Sequence, residues 1–511
     1  MESGCCTIVQ IQGPTAASPP DWLRHIRIEL ARDVKLINID ADKWLLVQKG
    51  ASVTFRLPAG NLPAVFSNLA QEGCLIADLL PLFGDHGPLS VQEQLLRLWR
   101  QGLLIETIRA GEEVKAILRT SGNMPMMPEF VQPEEILGLS EDMCIRMQGG
   151  ILLLESLEYG AVVEFRDAHL LQVPALLSTP IRCAELVQSV SAPEDFVMCV
   201  LNWLLRMKAV RNPQASRSHN EETNTWQFAD RLLHARSRSG RHLGGYGGTY
   251  RFVGRAIAPL DSQPSRCGLR TLLPKPDLQA IAAADRPFTY VLEERRSIRE
   301  HSQEPITLEE LGEFLYRSAR VRFRKSAQGE VFATRPFPSA GGLYELEFYV
   351  LINRCAGLAP ALYYYDGADH ALERVSSANQ STQAILVDCI RSCAFIGNPQ
   401  VLIVLAARFP RINWKYESIA YSLVLKDVGV AYQTMYLVAA AMGLAACAVG
   451  GGSAVYFGQA TGLGYWEESA VGEFVLGRPP RKAVAFQEIE AARQKGPHAK
   501  AGVSGAQGSQ E

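Results

Sequence analysis

The stretch TRPFPSAGGLYELEFYV, from Thr334 to Val350, joins a glycine turn to an apolar strand. The turn, PSAGG at 338–342, contains two adjacent glycines, which permit backbone angles that a side chain would forbid and let another molecule approach the peptide groups. The strand, Leu346 to Ile352, is rich in β-branched and aromatic residues, which favours a mostly buried pleated element. The stretch therefore predicts a glycine turn at the end of a sheet. Taken alone, it is equally consistent with an ordinary hairpin connection.

Length and composition indicate a globular protein of several folding units. The chain has 511 residues, which exceeds a single hydrophobic core and predicts about three or four units. It carries 51 Lys and Arg against 53 Asp and Glu, a formal charge of -2. No overall field therefore attracts nucleic acid or anionic lipid, and we expect neither as a partner.

The eleven cysteines are scattered along the chain. Apart from the adjacent Cys5-Cys6, the closest pair is Cys389 and Cys393, which has neither CxxC spacing nor a matching His pair. This pattern predicts no metal site and reduced thiols in a cytoplasmic protein. The first residues also lack the positive segment and the long apolar core of a secretion signal.

A long segment without charge lies between Asp427 and Glu467. Within it, Val428 to Val449 is long enough to span a bilayer. However, the segment is rich in Ala and Gly, breaks at Gly443, and lacks the Lys and Arg asymmetry expected beside a membrane span. We therefore predict a helix buried on all sides in a soluble protein or dimer, with a membrane helix as the alternative.

The first half of the chain contains a pattern that occurs twice. A β-rich run from Val34 predicts two or three strands with a turn at Lys49-Gly50, and helical spacing follows up to Gly102. Residues 75–80 are echoed by 182–187, and residues 53–56 by 163–166. The near-constant offset predicts two copies of one small, winged-helix-like α+β unit.

Winged helices commonly bind DNA, but the charge of this one argues against it. Residues 1–115 carry 11 Lys and Arg against 13 Asp and Glu, and the helix in the recognition position offers only Arg97 and Arg100. Capture of a peptide as an added strand suits this neutral surface better. A plain packing domain is the alternative.

A short cationic run, Arg295-Arg296-Ser297-Ile298-Arg299, precedes a helix that Thr307 and Glu310 start with a capping box. We expect the run itself to lie in a helical setting. Guanidinium groups pair bidentately with phosphate oxygens, so the run indicates a site for a phosphate monoester. An arginine-rich surface helix is the alternative.

Lys415 and Tyr416 are predicted to open the long uncharged helix. Burial of an amine at the edge of an apolar core lowers its pKa, which suits a base near neutral pH. A lysine whose stem packs on the core while its amine reaches solvent is the alternative. A second glycine loop, Gly450 to Gly452, follows the helix.

The order of motifs resembles a known family. Six of them occur in sequence: RRSIR, PSAGGLYELEFYV, GLAPALYYYD, WKYES, MGLAACAVGGG and FVLGRPPRK. Over roughly residues 286–485 the chain resembles the flavin-dependent nitroreductase superfamily, and more narrowly the SagB/ThcOx-type azoline dehydrogenases. WQFADRLLHARSRSGRH and GGTYRF resemble the lead-in of cyanobactin-type members. The two repeats are similar to the peptide-clamp modules, or RiPP recognition elements, of such enzymes.

The resemblance implies an FMN site and a role for each of its residues. Contacts to the phosphate and ribityl chain fall on Arg295, Arg296, Ser297 and Arg299, and the turn beside the isoalloxazine on Pro338, Ser339, Ala340 and Gly341. The loop at the other flavin edge falls on Gly450 and Gly451, a late phosphate contact on Arg481, and the catalytic pair on Lys415 and Tyr416. Glu345 departs from the pattern, because the family usually has proline there. The departure puts the local turn in doubt or adds a carboxylate near the flavin.

The implied fold class is α+β. A C-terminal nitroreductase-like FMN domain, an antiparallel sheet flanked by helices in a homodimer, follows two winged-helix-like peptide-clamp repeats. The predicted parts are 1–115 and 116–211 for the repeats, 212–285 for a linker helix at 226–237 and an extended, proline-containing arm at 251–285, 286–490 for the FMN domain, and 491–511 for a disordered tail.

The implied function is FMN-dependent oxidation of thiazoline and oxazoline rings in a ribosomally synthesised peptide, in RiPP biosynthesis. Lys415 or Tyr416 removes the ring proton while hydride passes to the flavin, the repeats bind the leader of the precursor peptide, and molecular oxygen accepts the electrons. One alternative is an NAD(P)H-dependent flavoprotein like the nitro and quinone reductases. Another is a non-catalytic scaffold that binds peptides without flavin.

Overall fold

The computed structural model divides the chain into two compact units, Met1–Tyr246 and Gly247–Glu511. The structure describes residues 20–31, 34–40, 43–48, 51–56, 68–69, 71–80, 89–120, 124–212, 225–241, 243, 245–253, 268–327, 330–394 and 397–480. Arg481, the turn at Lys49-Gly50 and the tail predicted at 491–511 lie outside these ranges.

The first unit combines short strands with short helices. Its strands are β1 (Ile26–Leu30), β2 (Val34–Asp40), β3 (Lys43–Gln48), β4 (Ala51–Arg56), β5 (Cys74–Leu75), β6 (Leu104–Ala110), β7 (Glu113–Arg119), β8 (Ile136–Leu139), β9 (Met143–Gln148), β10 (Ile151–Ser156), β11 (Val162–Phe165), β12 (Ile181–Arg182) and β13 (Val210–Arg211). Its helices are α1 (Ile76–Leu79), α2 (Leu89–Arg100), α3 (Gln172–Leu176), α4 (Cys183–Ser189), α5 (Glu194–Arg206) and α6 (Phe228–Ser237), with 3-10 turns at Asp21–His25 and Ala168–Leu171.

Two parts of this unit share one strand order. β1 lies between β5 and β6, and β8 lies between β12 and β13, all in antiparallel pairs. A pair of helices connects the outer strands in each part: α1 and α2 in the first, α4 and α5 in the second. This order agrees with the sequence repeat. The winged-helix assignment, the domain limits and the peptide-clamp role stay predictions.

Strands β7 and β11 bring the two copies into a common sheet. They pair antiparallel, with Glu164 opposite Ile117, within a sheet of order β5-β1-β6-β7-β11-β10-β9. β7 runs across the position at which the sequence pattern separates the repeats. The two copies are therefore continuous through their backbone hydrogen bonds.

A buried ion pair also links the copies. Arg206 of α5 donates from Nη1 and Nη2 to the Glu106 carboxylate of β6 at 2.8 and 2.7 Å, and Trp203 Nε1 donates to the same carboxylate at 2.6 Å. Both charged side chains are 0% exposed. Their carboxylate and guanidinium therefore neutralise each other inside the apolar core of the unit.

The linker helix predicted at 226–237 is present as α6. Arg231 pairs with Asp142, Arg236 pairs with Glu155, and Ala235 is buried. The helix therefore packs on its own unit through ion pairs. Arg236 therefore stabilises the unit through its ion pair with Glu155 and is not only a solvated surface residue.

The second unit carries the predicted glycine turn and the arginine run. Its strands are β14 (Gly247–Gly248), β15 (Arg270–Leu272), β16 (Ile306–Thr307), β17 (Phe323–Ala327), β18 (Glu330–Thr334), β19 (Leu346–Ile352), β20 (Cys355–Ala356), β21 (Ala361–Asp366), β22 (Ala371–Ser377), β23 (Val401–Arg408), β24 (Tyr416–Glu417), β25 (Ala445–Val449) and β26 (Glu468–Gly477). Its helices are α7 (Leu278–Ala284), α8 (Phe288–Glu294), α9 (Leu308–Ala319), α10 (Gln380–Cys393), α11 (Phe409–Lys415), α12 (Ala420–Ala441) and α13 (Ala454–Thr461).

A seven-stranded antiparallel sheet of order β15-β22-β21-β19-β23-β26-β25 organises this unit. On one face, Phe348 and Val350 of β19 share a core with Val424 and Met435 of α12. On the other face, Tyr349 and Leu351 share a core with residues of α10 and α13. Because helices cover both faces, every residue of β19 is buried, which explains its unbroken apolar sequence. The predicted sheet flanked by helices is confirmed.

The predicted extended arm at 251–285 is wrong at its end, where α7 forms. Asp277 begins this helix, because its side chain accepts hydrogen bonds from the Gln279 and Ala280 backbone N–H groups. The prolines at 274 and 276 precede the helix and so do not interrupt it.

The long uncharged segment forms α12, which ends beside Gly443 as predicted. Among the described residues, no helix has both the length and the hydrophobicity needed to cross a bilayer. One face of α12 packs on the sheet, whereas Tyr421, Leu425 and Val430 lie outside that face and are 47%, 40% and 36% exposed. Within a single chain the helix is therefore not buried on all sides.

Candidate active site

The glycine turn lies directly before β19 and is a single 3-10 turn at Ala340–Gly342. Gly341 and Gly342 have positive φ angles of 59° and 69°, which favour glycine. β18, the preceding strand, pairs with β17 and not with β19. The turn is therefore not a hairpin connection, and its glycines serve another purpose.

Gly341 contacts the predicted catalytic pair. A Cβ atom at this position would lie 2.5 Å from Tyr416 Oη and 3.1 Å from Lys415 Nζ. Any side chain at 341 would displace both groups. The fold thus brings the phenol and the ammonium group to the backbone of the glycine turn, as the sequence predicts for a joint site.

The local setting of Lys415 and Tyr416 differs from the prediction. Lys415 ends α11 and Tyr416 begins β24, whereas the sequence pattern placed both at the opening of the long helix, which starts at Ala420. β24 pairs with β14, with Gly248 opposite Tyr416. This pairing with a distant segment holds the chain extended between α11 and α12.

Tyr250, which follows β14, completes the surroundings of the ammonium group. Lys415 Nζ lies 5.2 Å from the centre of the Tyr250 ring, a cation–π distance. The Tyr250 backbone N–H donates to the Lys415 carbonyl at 3.1 Å, and its ring meets Trp414 edge-on. The GGTYR segment therefore contacts Lys415 through both the backbone and the ring of Tyr250.

The phenol of Tyr416 remains protonated at neutral pH. Burial raises its pKa above the ordinary value of 10.0, while the Lys415 charge opposes that rise. Tyr416 therefore offers a hydrogen-bond donor beside Gly341.

Asp427 of α12 holds the other side of the turn. Its carboxylate accepts hydrogen bonds from Ser339 Oγ and from the Ala340 backbone N–H, each at 2.8 Å. Glu345, buried directly before β19, also reaches the Ser339 hydroxyl at 3.1 Å. The turn is thus fixed between a carboxyl cluster and the Lys415–Tyr416 pair.

The arginine run lies farther along α12. The sequence predicts a helical setting for it, but the run is not helical. α8 ends at Glu294, and the Ile298 backbone N–H donates to the Ala446 carbonyl of β25 at 2.9 Å. Ser297 Oγ lies 2.8 Å from Tyr436 Oη, which accepts a hydrogen bond from the Ala448 backbone N–H at 2.7 Å. Pairing with a strand therefore overrides the helical tendency of the run.

The side chains of the run are available to bind an anion. Arg295 lies over the Tyr436 ring at 5.1 Å. Neither Arg296 nor Arg299 forms an ion pair with any residue that the structure describes, and Arg299 is exposed. Gly450, directly after β25, has open space where a Cβ would stand. Guanidinium groups, a hydroxyl and an open glycine loop fit a phosphate monoester.

The predicted residues therefore form two clusters along α12. Asp427 marks the cluster with the glycine turn, and Tyr436 marks the cluster with the arginine run. At 1.5 Å per residue these positions are about 13 Å apart along the helix axis.

Comparison with known proteins identifies the family. The nitroreductase family model matches residues 292–478, and the model described as cyanobactin oxidase ThcOx matches residues 137–243. A protein of Methanocaldococcus jannaschii named as a nitroreductase is 30% identical over 175 residues, which are 34% of this chain and 81% of that protein. The chain belongs to the nitroreductase family. The resemblance predicted from the motifs is thereby confirmed, and the chain is an oxidoreductase.

Two solved structures are also similar to this nitroreductase-family chain. One, from Ralstonia eutropha and named as a nitroreductase, is 24% identical, covers 42% of this chain and 90% of its own, and has a TM-score of 0.34. The other is the Escherichia coli microcin synthetase McbBCD complex with truncated pro-MccB17 bound. It is 19% identical, covers 52% of this chain and 98% of its own, and has a TM-score of 0.31.

The sequence patterns did not assign three residues of the candidate site. Tyr250 could have been found from the glycine pair that precedes it, because such a pair permits close backbone approach. Asp427 is the last charge before a long apolar segment, and a charge on a buried helix face requires a partner. For Tyr436, one tyrosine among several on the helix, the sequence carries no distinguishing signal.

Proposed function

We propose that this nitroreductase-family protein is an FMN-dependent dehydrogenase that oxidises thiazoline and oxazoline rings of a ribosomally synthesised peptide to thiazoles and oxazoles. The supporting observation is the meeting of Lys415 and Tyr416 at the backbone of Gly341. It occurs in a chain in which residues 137–243 match the cyanobactin oxidase ThcOx model.

The cofactor is FMN, and the two clusters along α12 divide its parts between them. Arg295, Arg296, Ser297 and Arg299 bind the phosphate and the ribityl chain. The turn at 338–341 lies beside the isoalloxazine, and Gly450 and Gly451 lie at its other edge. Arg481 is proposed as a further phosphate contact from outside the described residues. When bound, FMN supplies the acceptor for a hydride from the substrate.

Lys415 and Tyr416 have different proton roles in this proposal. Oxidation of an azoline ring to an azole removes one proton and one hydride from the ring. Because the Tyr416 phenol is protonated, it donates a hydrogen bond that orients the ring. Lys415 in its neutral form takes the proton, and the backbone of Gly341 keeps both groups at the same point.

The expected partners follow from the same proposal. The leader of the precursor peptide binds the repeats of the first unit, and oxygen accepts the electrons. Three exposed apolar side chains of α12, Tyr421, Leu425 and Val430, support a homodimer, because burying them removes apolar surface from water. We expect the protein in the cytoplasm.

The decisive experiment uses the purified full chain under anaerobic conditions. We expect yellow protein whose flavin absorption bleaches when a thiazoline-containing peptide is added, with loss of two hydrogens from the peptide by mass spectrometry. Bleaching by NADPH without any change in the peptide would favour the nitro- or quinone-reductase alternative. A colourless protein that does not bind added FMN would favour the alternative of a non-catalytic scaffold.

A substitution in the arginine run tests the phosphate site. Arg299→Gln should weaken FMN binding by about 10- to 100-fold, because a charge-assisted hydrogen bond contributes about 1.5–3 kcal/mol. FMN fluorescence titration of the apoprotein measures the change. Arg286→Gln is the control, because Arg286 is similarly exposed but pairs with Glu294. Equal FMN affinity in both variants would remove Arg299 from the site.

A further inference from the structure

Two buried carboxyl groups, Glu345 and Asp427, meet at the Ser339 hydroxyl. Ser339 Oγ lies 2.8 Å from Asp427 Oδ2 and 3.1 Å from Glu345 Oε2. The same oxygen accepts a hydrogen bond from the Tyr344 backbone N–H at 3.0 Å. Glu345 is 0% exposed and Asp427 is 7% exposed, so solvent does little to screen the two groups. We call Glu345 and Asp427 the carboxyl pair.

The hydrogen bonds around Ser339 require a proton on the carboxyl pair. A hydroxyl has one hydrogen to donate and two lone pairs that accept. The Tyr344 N–H occupies one lone pair, and the hydroxyl hydrogen can point to only one of the two carboxyl oxygens. If both carboxyl groups were ionised, the carboxylate that does not receive the hydroxyl hydrogen would face the Ser339 oxygen with no hydrogen between them. Two acceptors in contact in a buried site are unfavourable. One carboxyl group therefore donates.

The contacts of each carboxyl group assign the proton to Glu345. Asp427 Oδ2 accepts from both the Ser339 hydroxyl and the Ala340 N–H, as an ionised carboxylate does. Glu345 Oε1 has no hydrogen-bond partner among the described residues, which a neutral acid tolerates better than a carboxylate. Burial and, second, the neighbouring Asp427 raise the pKa of Glu345 to about 8.

The arginine side chains near the carboxyl pair contact groups other than Glu345 and Asp427. Arg411 of α11 donates from Nε to the Leu343 carbonyl. Arg408 of β23 directs Nη1 to Glu347 at 3.5 Å, and only its backbone N–H reaches the Glu345 carbonyl. Among the described residues, no cation forms an ion pair with Glu345. The proton on Glu345 is therefore not replaced by a nearby positive charge.

Two further titratable groups contact the turn. Lys415 and Tyr416 meet the backbone at Gly341, one residue beyond the Ala340 N–H that binds Asp427. A shift of the turn relative to Asp427 would therefore also change its distance to the ammonium group and the phenol.

We propose that protonated Glu345 is a positioning residue that holds the 339–342 turn against Asp427. Loss of its proton leaves the Ser339 hydroxyl between two carboxylates and loosens the turn that faces Lys415 and Tyr416. The proposal deepens the proposed function. It rests on that function in one respect, which is the position of the turn beside FMN. It assigns a task to the glutamate that stands where the family resemblance expects proline.

The first test measures proton linkage in the apoprotein and needs no cofactor. The folded-state pKa of Glu345 is about 8, against an ordinary 4.5, so the folded chain keeps a proton that the unfolded chain releases between these values. Stability should fall as pH rises through this window. The ratio of the wild-type unfolding constant to that of Glu345→Gln should rise up to about tenfold per pH unit between about pH 5 and pH 7.5.

Urea unfolding at each pH provides these constants. Glu313→Gln, the same change at a partly exposed glutamate of α9, should keep the wild-type pH profile. Parallel profiles for wild type and Glu345→Gln would overturn the proposal. A Glu345→Gln protein that fails to fold would also contradict it, because the amide keeps the shape, the neutral charge and a donor.

The second test measures FMN affinity against pH. The wild-type dissociation constant should rise about tenfold between pH 7 and pH 9.5, and that of Glu345→Gln less than about twofold. Equal rises would overturn the proposal. If neither protein binds FMN at any pH, the proposed function fails while the unfolding test still decides the role of Glu345.

A third variant tests the partner of Glu345. Asp427→Asn removes the charge that competes for the Ser339 hydrogen, so Glu345 can ionise more easily. The pH profile of unfolding should shift down by about one unit. An unshifted profile would show that Asp427 does not keep Glu345 protonated, which would contradict the proposal.

Discussion

Replacing Lys415 by alanine should slow azoline oxidation by about 100- to 10,000-fold while FMN stays bound, because a general base contributes a factor of this size. The ammonium group lies at the Gly341 backbone, whereas the proposed phosphate contacts lie in the other cluster of α12. The loss should therefore appear in turnover and not in flavin content. Single-turnover bleaching of the flavin by a thiazoline peptide measures the rate, and absorbance of the purified protein measures the flavin.

Two variants sharpen this result. Tyr416→Phe keeps the ring and removes the phenol, so a smaller loss than in Lys415→Ala would support Lys415 as the base. Lys275→Ala, the same truncation at an exposed lysine of the same unit, should leave the rate unchanged. Turnover that survives Lys415→Ala would remove Lys415 from the mechanism. Loss of flavin together with turnover would indicate a structural role instead.

Replacing Glu106 by alanine should lower the free energy of unfolding of the first unit by about 3–5 kcal/mol. The substitution leaves the Arg206 guanidinium, which is 0% exposed, without its carboxylate partner, and it removes the acceptor of Trp203 Nε1. Because β6 and α5 belong to different copies of the repeat, the loss should weaken the contact between the copies. Urea unfolding of the full chain, followed by the fluorescence of the buried tryptophans, measures the change.

The matched control is Glu185→Ala in the same unit. Glu185 pairs with Arg182 at 3.8 Å, and both side chains are more than half exposed. An exposed pair of this kind contributes about 0–1 kcal/mol, so the variant should unfold almost as the wild type does. Similar losses in the two variants would show that the buried pair does not stabilise the core. Glu106→Gln should lie between them, because it keeps the shape and one acceptor.

Local patterns predicted several elements correctly because near neighbours determine them. The capping box at Thr307 and Glu310 is present, with both reciprocal hydrogen bonds. The β-rich run from Val34 forms three strands, and Gly443 stands at the end of the long helix with a φ of 69°. A cap, a hairpin pattern and a left-handed glycine each depend on a few consecutive residues.

Two of the errors occur where a distant strand takes a backbone hydrogen bond. Arg295 to Arg299 lies outside any helix, and its Ile298 N–H binds Ala446, far along the chain. Tyr416 lies in a strand because Gly248 pairs with it. Helix propensity of a short segment amounts to a few tenths of a kcal/mol per residue, which such tertiary contacts override.

The sequence alone was enough to predict the family, the apolar strand at 346–352, the glycine turn and the identity of the Lys–Tyr pair. Motif order and side-chain type are properties of the chain itself. Only the tertiary structure set Gly341 against Lys415 and Tyr416, and joined Ser339, Asp427 and Glu345 in one buried cluster. The physical reason is that proton sharing and close approach depend on distances and burial. Those quantities arise when segments remote in sequence pack together.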